Sequence, residues 1–303
     1  MPAIALLFPG QGAQQVGMGA PLTLRCPAAR SLFDRASKVL GYDLLALCDK
    51  GPSERLNETK HSQPALLVHS LACLAELQEK QPDLMQQVVA VAGLSLGEYT
   101  AVAAAGGLDF EDAVRLVQQR GEAMQDAADQ VGSGMASIIG LDTEKLAEVC
   151  DSARRPGEVL QIANLLCPGN TAISGHLGSL ADAEVKASEA GAMKTVRLAV
   201  AGAFHTELMG PAVTRLQKAL AETPIRSASI DVYSNVDAKP HRDAEEFKNL
   251  LARQVVNPVQ WEASLRAMLA AGVELFYEIG CGRVLAGTLK RVDRKAACEC
   301  FGD

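Results

Sequence analysis

No apolar run in this 303-residue sequence approaches the roughly 20 residues needed to cross a bilayer. The apolar opening at residues 3–8 is too short for a signal peptide and has no basic residue ahead of it. The expectation is a cytoplasmic protein with no membrane partner. Basic residues are also in deficit. Lys and Arg number 29 against 36 Asp and Glu, and the resulting charge of −7 argues against a general nucleic-acid binder. Paired cysteines are lacking too: the eight, at 26, 48, 73, 150, 167, 281, 298 and 300, form no Cys-x-x-Cys, so zinc-ribbon and thioredoxin sites fail on spacing. Cys298 and Cys300 read as a chance pair in a reducing compartment. With 48% apolar and 21% charged residues, the chain has an ordinary globular composition. It is long enough to bury a core without disulfide or metal, and no metal or bound cofactor is expected.

Residues 3–8 form a buried strand stopped by Pro9-Gly10, and a loop with glycines at 10, 12, 17 and 19 follows. Residues 27–40 and 62–80 read as amphipathic helices, 88–92 as a strand, and a helix starts at Leu96. Asp109, with Asp112 three positions on, reads as the N-cap of a helix reaching about 128. The stretch 134–198 has the order β-α-β-β-α-β of a ferredoxin-like unit. Helices near 206–222 and 243–255, a strand at 273–279 and a closing helix from about 283 complete the chain. Strands alternating with helices imply an α/β fold with a mainly parallel sheet. The expected division is a catalytic core of residues 1–130 and 200–303 with an inserted small subdomain at 131–199.

Gly93-Leu94-Ser95-Leu96-Gly97 matches G-x-S-x-G between a predicted strand and a predicted helix. That context suits a sharp turn which lifts a serine hydroxyl clear of the backbone. The Leu96 N–H then sits at a helix N-terminus, able to stabilise an oxyanion. A serine nucleophile needs a base, and there are five histidines. His69 falls on a helix face and reads as a core residue, His61 and His241 as solvated loop residues, and His176 as a turn residue. His205 follows the apolar stretch 199–204, where a neutral imidazole is favoured. Spacing alone does not separate it from the others.

Together these segments resemble the malonyl-CoA:acyl-carrier-protein transacylase family of type II fatty-acid biosynthesis, over nearly the whole chain. The matches are Phe8-Pro9-Gly10-Gln11-Gly12, Ser62-Gln63-Pro64-Ala65, Gly93 to Glu98, Arg120-Gly121 with Met124, and Ala203-Phe204-His205-Thr206. Gln254 with Asn257-Pro258-Val259-Gln260-Trp261, and Glu278-Ile279-Gly280 with Gly282 and Val284-Leu285, complete them in order. The resemblance implies a hydrolase-like α/β core with a ferredoxin-like insertion. It implies Ser95 as nucleophile and His205 as base, with the N–H groups of Gln11 and Leu96 as oxyanion hole. It further implies Arg120 as clamp on the malonyl carboxylate, Gln63, Phe204 and Gln254 around the substrate, and a main-chain carbonyl near Gln254 orienting the histidine. Malonyl-CoA and acyl carrier protein are the implied partners, and a monomer is expected.

A planar guanidinium suits a carboxylate through two parallel hydrogen bonds, a geometry lysine cannot copy. A bulky Phe204 crowds an α-methyl branch, giving about 10–200-fold discrimination. Four residues depart from the family pattern: Leu94 in place of His, Cys281 in place of Pro, and Leu166 and Asn170 within the N-x-N-x-P-G-Q segment. Lys290-Arg291 with Arg294-Lys295 is a candidate basic patch for an acidic carrier. A serine thioesterase on the same elbow, a degenerate scaffold, and an acyltransferase of a polyketide-type pathway are the rival readings.

Overall fold

The computed structural model describes residues 2–302. Its strands are β1 (Ile4–Phe8), β2 (Val88–Gly93), β3 (Ser133–Ile139), β4 (Leu160–Cys167), β5 (Asn170–His176), β6 (Lys194–Arg197), β7 (Asp231–Tyr233), β8 (Pro240–His241), β9 (Leu275–Ile279) and β10 (Ala297–Phe301). Six of them form one sheet in the order β10-β9-β1-β2-β7-β8, with every pairing parallel except β7 with β8. Strand β1 is buried along its whole length because both faces are covered. Ile4, Leu6 and Phe8 point into the larger core, and Ala5 and Leu7 into a second one built around Trp261, Leu265 and Phe276. The continuous apolar run of residues 3–8 follows from this double burial.

The second sheet has the order β4-β5-β3-β6 and is antiparallel throughout. That is the strand order of a ferredoxin-like unit, contained within residues 133–197. Helices Thr143–Ala153 and Leu177–Glu189 pack on one face through Leu146, Val149, Leu180 and Ala183. The other face turns Met135, Ala163 and Ala172 into the core of the first sheet. A parallel bridge between Asn164 and Val259 ties β4 to the chain after helix Ala244–Gln254. Two main-chain bonds hold it, Leu165 N–H to Val259 O at 2.9 Å and Val259 N–H to Ala163 O at 2.8 Å.

Several local expectations need correction. Helix Phe110–Asp129 begins after Asp109, but that carboxylate turns to Arg226 and leaves the helix end uncapped by a side chain. His61 lies inside helix Thr59–Lys80, half-buried against Tyr42, and His241 lies in β8 between Glu246 and Asp237, so neither is a solvated loop residue. Cys298 and Cys300 belong to β10, an edge strand. Short β7 and β8 have too few residues to show a period, and helix Trp261–Ala270 also went unread. No helix among the described residues is long and apolar enough to cross a membrane.

The turn after β2 is packed backbone on backbone. A Cβ on Gly97 would lie 2.1 Å from the Phe8 carbonyl oxygen, and one on Gly10 would lie 2.4 Å from that of Leu94. Neither neighbour is a side chain that can swing away. Gly97→Ala should therefore cost about 1–3 kcal/mol or more, read as a lower thermal midpoint. An unchanged midpoint would show that this turn can open.

Candidate active site

Ser95 occupies the turn between β2 and helix Leu96–Ala104 with φ 51° and ψ −102°, a conformation that non-glycine residues rarely hold. It persists because the turn is tied down. Ser95 N–H donates to Asn235 Oδ1 at 2.7 Å, and Asn235 Nδ2 donates to the Gly93 carbonyl at 2.8 Å. His205 also has a positive φ, 61°, at the end of the loop leading to helix Gly210–Glu222. Its Nε2 lies 2.8 Å from Ser95 Oγ and its Nδ1 2.9 Å from the Gln254 carbonyl oxygen. A carbonyl can only accept, so Nδ1 carries the proton and Nε2 is free to take one from the serine. The imidazole is oriented by a main-chain carbonyl rather than a carboxylate, giving a dyad. Burial, with a smaller push from the Arg120 charge, lowers its pKa to about 4 against the raising effect of the Gln254 carbonyl.

Arg120 projects from helix Phe110–Asp129 with 1% of its surface exposed. Nη1 donates to Gln63 Oε1 at 2.7 Å, and Nη2 donates to Gln254 Oε1 at 2.9 Å and to Ser95 Oγ at 3.0 Å. The guanidinium lies 5.0 Å from the centre of the Tyr99 ring, and its Nε has no partner. Gly121 lets this helix approach the one carrying Gln63, since a Cβ there would stand 2.9 Å from Thr59 O and Lys60 Cα. Gln254 therefore serves twice, through its carbonyl on His205 and its amide on Arg120.

A cavity of about 240 Å³ opens over the serine. Gln11, Gln63, Leu94, Ser95, Phe204 and His205 are among its walls, with Met135 and Ala172 from the second sheet opposite. Leu96 is the first residue of its helix, so its N–H has no acceptor within the helix and faces the turn. Of the four departures, Leu94 and Leu166 line the cavity. Cys281 does not; it is buried against Met18 and His69. Asn170 accepts from Ser137 and is also outside the cavity walls. His69 is a core residue, as its helix position indicated, and His176 joins β5 to Val159. Two residues at the site went unread as such. Asn235 follows a three-residue strand with no motif around it, and Glu98, quoted only as part of the elbow, is a buried carboxyl that accepts from Gln254 and Asn235.

A strained elbow serine against a neutral imidazole, at the start of a helix, is the equipment of an enzyme that moves acyl groups through a serine ester. The sequence pattern of the family described as "Acyl transferase domain" matches residues 5–299, and the chain belongs to that family. It is 42% identical over 297 residues to the malonyl CoA-acyl carrier protein transacylase of Bacillus subtilis, covering 97% of this chain and 92% of that one. To the transacylase of the same description from Escherichia coli K12 it is 42% identical over 295 residues, covering 96% and 93%. The solved transacylase of Coxiella burnetii superposes with a TM-score of 0.95 at 39% identity, over 99% of this chain and 94% of that one. A malonyl-transacylase solved in complex with a type II polyketide acyl-carrier protein superposes with a TM-score of 0.95 at 38% identity, over 99% and 96%.

The base should stay neutral far into acid. The acid limb of kcat/KM for serine acylation is expected nearer pH 4 than 6.5, and a limb at 6.5 would place the base elsewhere. The same depression has a stability consequence. Between pH 6.5 and 4 the unfolded histidine binds a proton that the folded one refuses, so this contribution to stability is lost as pH falls through that window.

Proposed function

We propose that this chain transfers the malonyl group of malonyl-CoA to the phosphopantetheine thiol of acyl carrier protein through an ester on Ser95. The observation that carries the reading is Arg120, a buried cation whose hydrogen-bond partners among the described residues are all neutral and include the serine oxygen itself. A buried charge without a counter-charge in contact is costly. An acyl group that brings its own carboxylate to the serine supplies one; an acetyl group does not.

Ser95 Oγ attacks the thioester carbonyl and gives its proton to His205 Nε2, while Nδ1 stays on the Gln254 carbonyl. The N–H groups of Gln11 and Leu96 receive the oxyanion. As the tetrahedral adduct collapses, the imidazolium returns the proton to the departing CoA sulfur. The carrier thiol then gives its proton to His205 and attacks the ester, and as that adduct collapses the imidazolium returns the proton to the departing Ser95 Oγ, completing a ping-pong cycle. Phe204, Leu94 and Leu166 narrow the cavity beside the ester and favour an unbranched acyl group. The names of the relatives support malonyl-CoA and carrier protein as the partners. The reading also takes the enzyme as a cytoplasmic monomer without bound metal or cofactor. The helix Val284–Val292 begins at the cavity wall and ends in exposed Lys290 and Arg291, with exposed Arg294 and Lys295 beyond it. This is the surface offered to an acidic carrier.

Intact mass after brief exposure to malonyl-CoA should show one malonyl adduct on Ser95, discharged faster by carrier protein than by water. Ser95→Ala should show none; a full adduct there would refute the nucleophile, and free malonate without a carrier requirement would indicate a hydrolase. Arg120→Ala should lower kcat/KM for malonyl-CoA about 30-fold or more and acetyl transfer far less, whereas equal losses would argue against the clamp. Reversing the charges of Arg291 and Arg294 should raise KM for carrier protein and leave that for malonyl-CoA in place. An unchanged carrier KM would move the docking surface.

A further inference from the structure

Beneath the reactive groups lies a carboxyl that the mechanism above does not use. Glu98 sits in the first turn of helix Leu96–Ala104, 2% exposed, three residues after the serine. Its Oε2 accepts from Gln254 Nε2 at 2.5 Å and from the Asn235 N–H at 3.1 Å. The same Gln254 Nε2 donates to the Ser95 carbonyl at 2.9 Å, and its other end, Oε1, receives Arg120 Nη2. Gln254 thus bridges the acceptor Glu98 and the donor Arg120.

We propose that Glu98 is a positioning residue for acyl-group selection, fixing which end of the Gln254 amide faces Arg120 and thereby where the guanidinium points. The argument is a count of donors and acceptors. Turned by 180°, the amide would set its NH2 against the guanidinium, which has only donors, and its oxygen against Glu98 Oε2 and the Ser95 carbonyl. Three like contacts would replace three good ones. An acceptor oxygen at this place, held toward the Asn235 N–H, enforces the observed orientation; a side chain without an acceptor does not. Burial raises the Glu98 carboxyl to about 7, against the lowering effects of Gln254, Asn235, Ser234 and Arg120. With Gln254 fixed, Nη2 is held between its Oε1 and Ser95 Oγ, where a carboxylate on the serine ester would meet it. The serine turn is tied by the Asn235 side chain, and Glu98 also holds the Asn235 N–H, so acetyl-CoA acylation serves as the control for any disturbance of the turn.

The inference rests on the malonyl-transfer reading, and the experiment keeps their failures apart. Acylation rates with malonyl-CoA and acetyl-CoA are measured by rapid quench and intact mass for the wild type, Glu98→Leu and Glu98→Gln, with folding checked by circular dichroism. If wild-type protein takes no malonyl group, the proposed function itself fails. If it does, Glu98→Leu should lose about 10- to 100-fold on malonyl-CoA and much less on acetyl-CoA, so the malonyl-to-acetyl ratio collapses. Glu98→Gln keeps an acceptor oxygen in the same volume and should restore the ratio. Equal losses on the two substrates would make Glu98 a purely structural support and overturn the proposal. Should Glu98→Leu fail to fold, Glu98→Ala takes its place with the same outcomes: a collapsed ratio supports the proposal, and equal losses on the two substrates overturn it.

Discussion

The hydrogen bond from His205 Nδ1–H to the Gln254 carbonyl does what a buried aspartate does in a full triad, with one difference. A carbonyl fixes the tautomer and the ring plane but adds no full negative charge to steady an imidazolium. The buried imidazole, beside the Arg120 cation, is accordingly held neutral. Neutral imidazole is the form that can take the serine proton. Gln254 is thus the residue on which the site's geometry converges, because its main chain orients the base and its side chain orients the cation. Its place at the last turn of helix Ala244–Gln254 is what leaves the carbonyl available, since the final carbonyls of a helix have no partner within it.

The features legible in the sequence were those with local causes. The run at 3–8 announces a strand covered on both faces, and the elbow announces itself because its glycines, serine and following helix lie within five residues. Asp243 caps its helix where the sequence placed a helix start. Ser95, His205, Arg120, Gln63, Gln254 and Phe204 were gathered from five distant segments by family resemblance, and the structure brings them to one cavity or its edge. Choosing His205 from five histidines by the residues alone was out of reach. What distinguishes it is a positive φ and a carbonyl 49 residues away, neither of which leaves a trace in the local pattern. His61 and His241 misled for the converse reason, since polar neighbours look like solvent exposure until those neighbours turn out to be hydrogen-bond partners. Asn235 was invisible because its importance comes from the Ser95 N–H and Gly93 carbonyl it holds, 140 residues or more up the chain.

The departures from the family pattern divide by position in the same way. Cys281 and Asn170 are absorbed by packing and by a hydrogen bond away from the cavity, so they alter neither its walls nor its charge. Leu94 and Leu166 do face it, and both are apolar. They make this cavity drier than one carrying a histidine beside the serine. A dry wall strengthens the pull of a buried guanidinium on an arriving carboxylate.

The bridge between Asn164 and Val259 bears on how the cleft can move. The segment it grips begins a few residues after Gln254, so the small sheet and the carbonyl that aims the histidine share one mechanical linkage. Swinging that sheet outward as a flap would tear two main-chain bonds and pull on the hinge of the catalytic base. Any widening of the cleft by that route would be felt first as a misaimed imidazole, so the cleft walls and the proton-transfer geometry behave as one rigid frame.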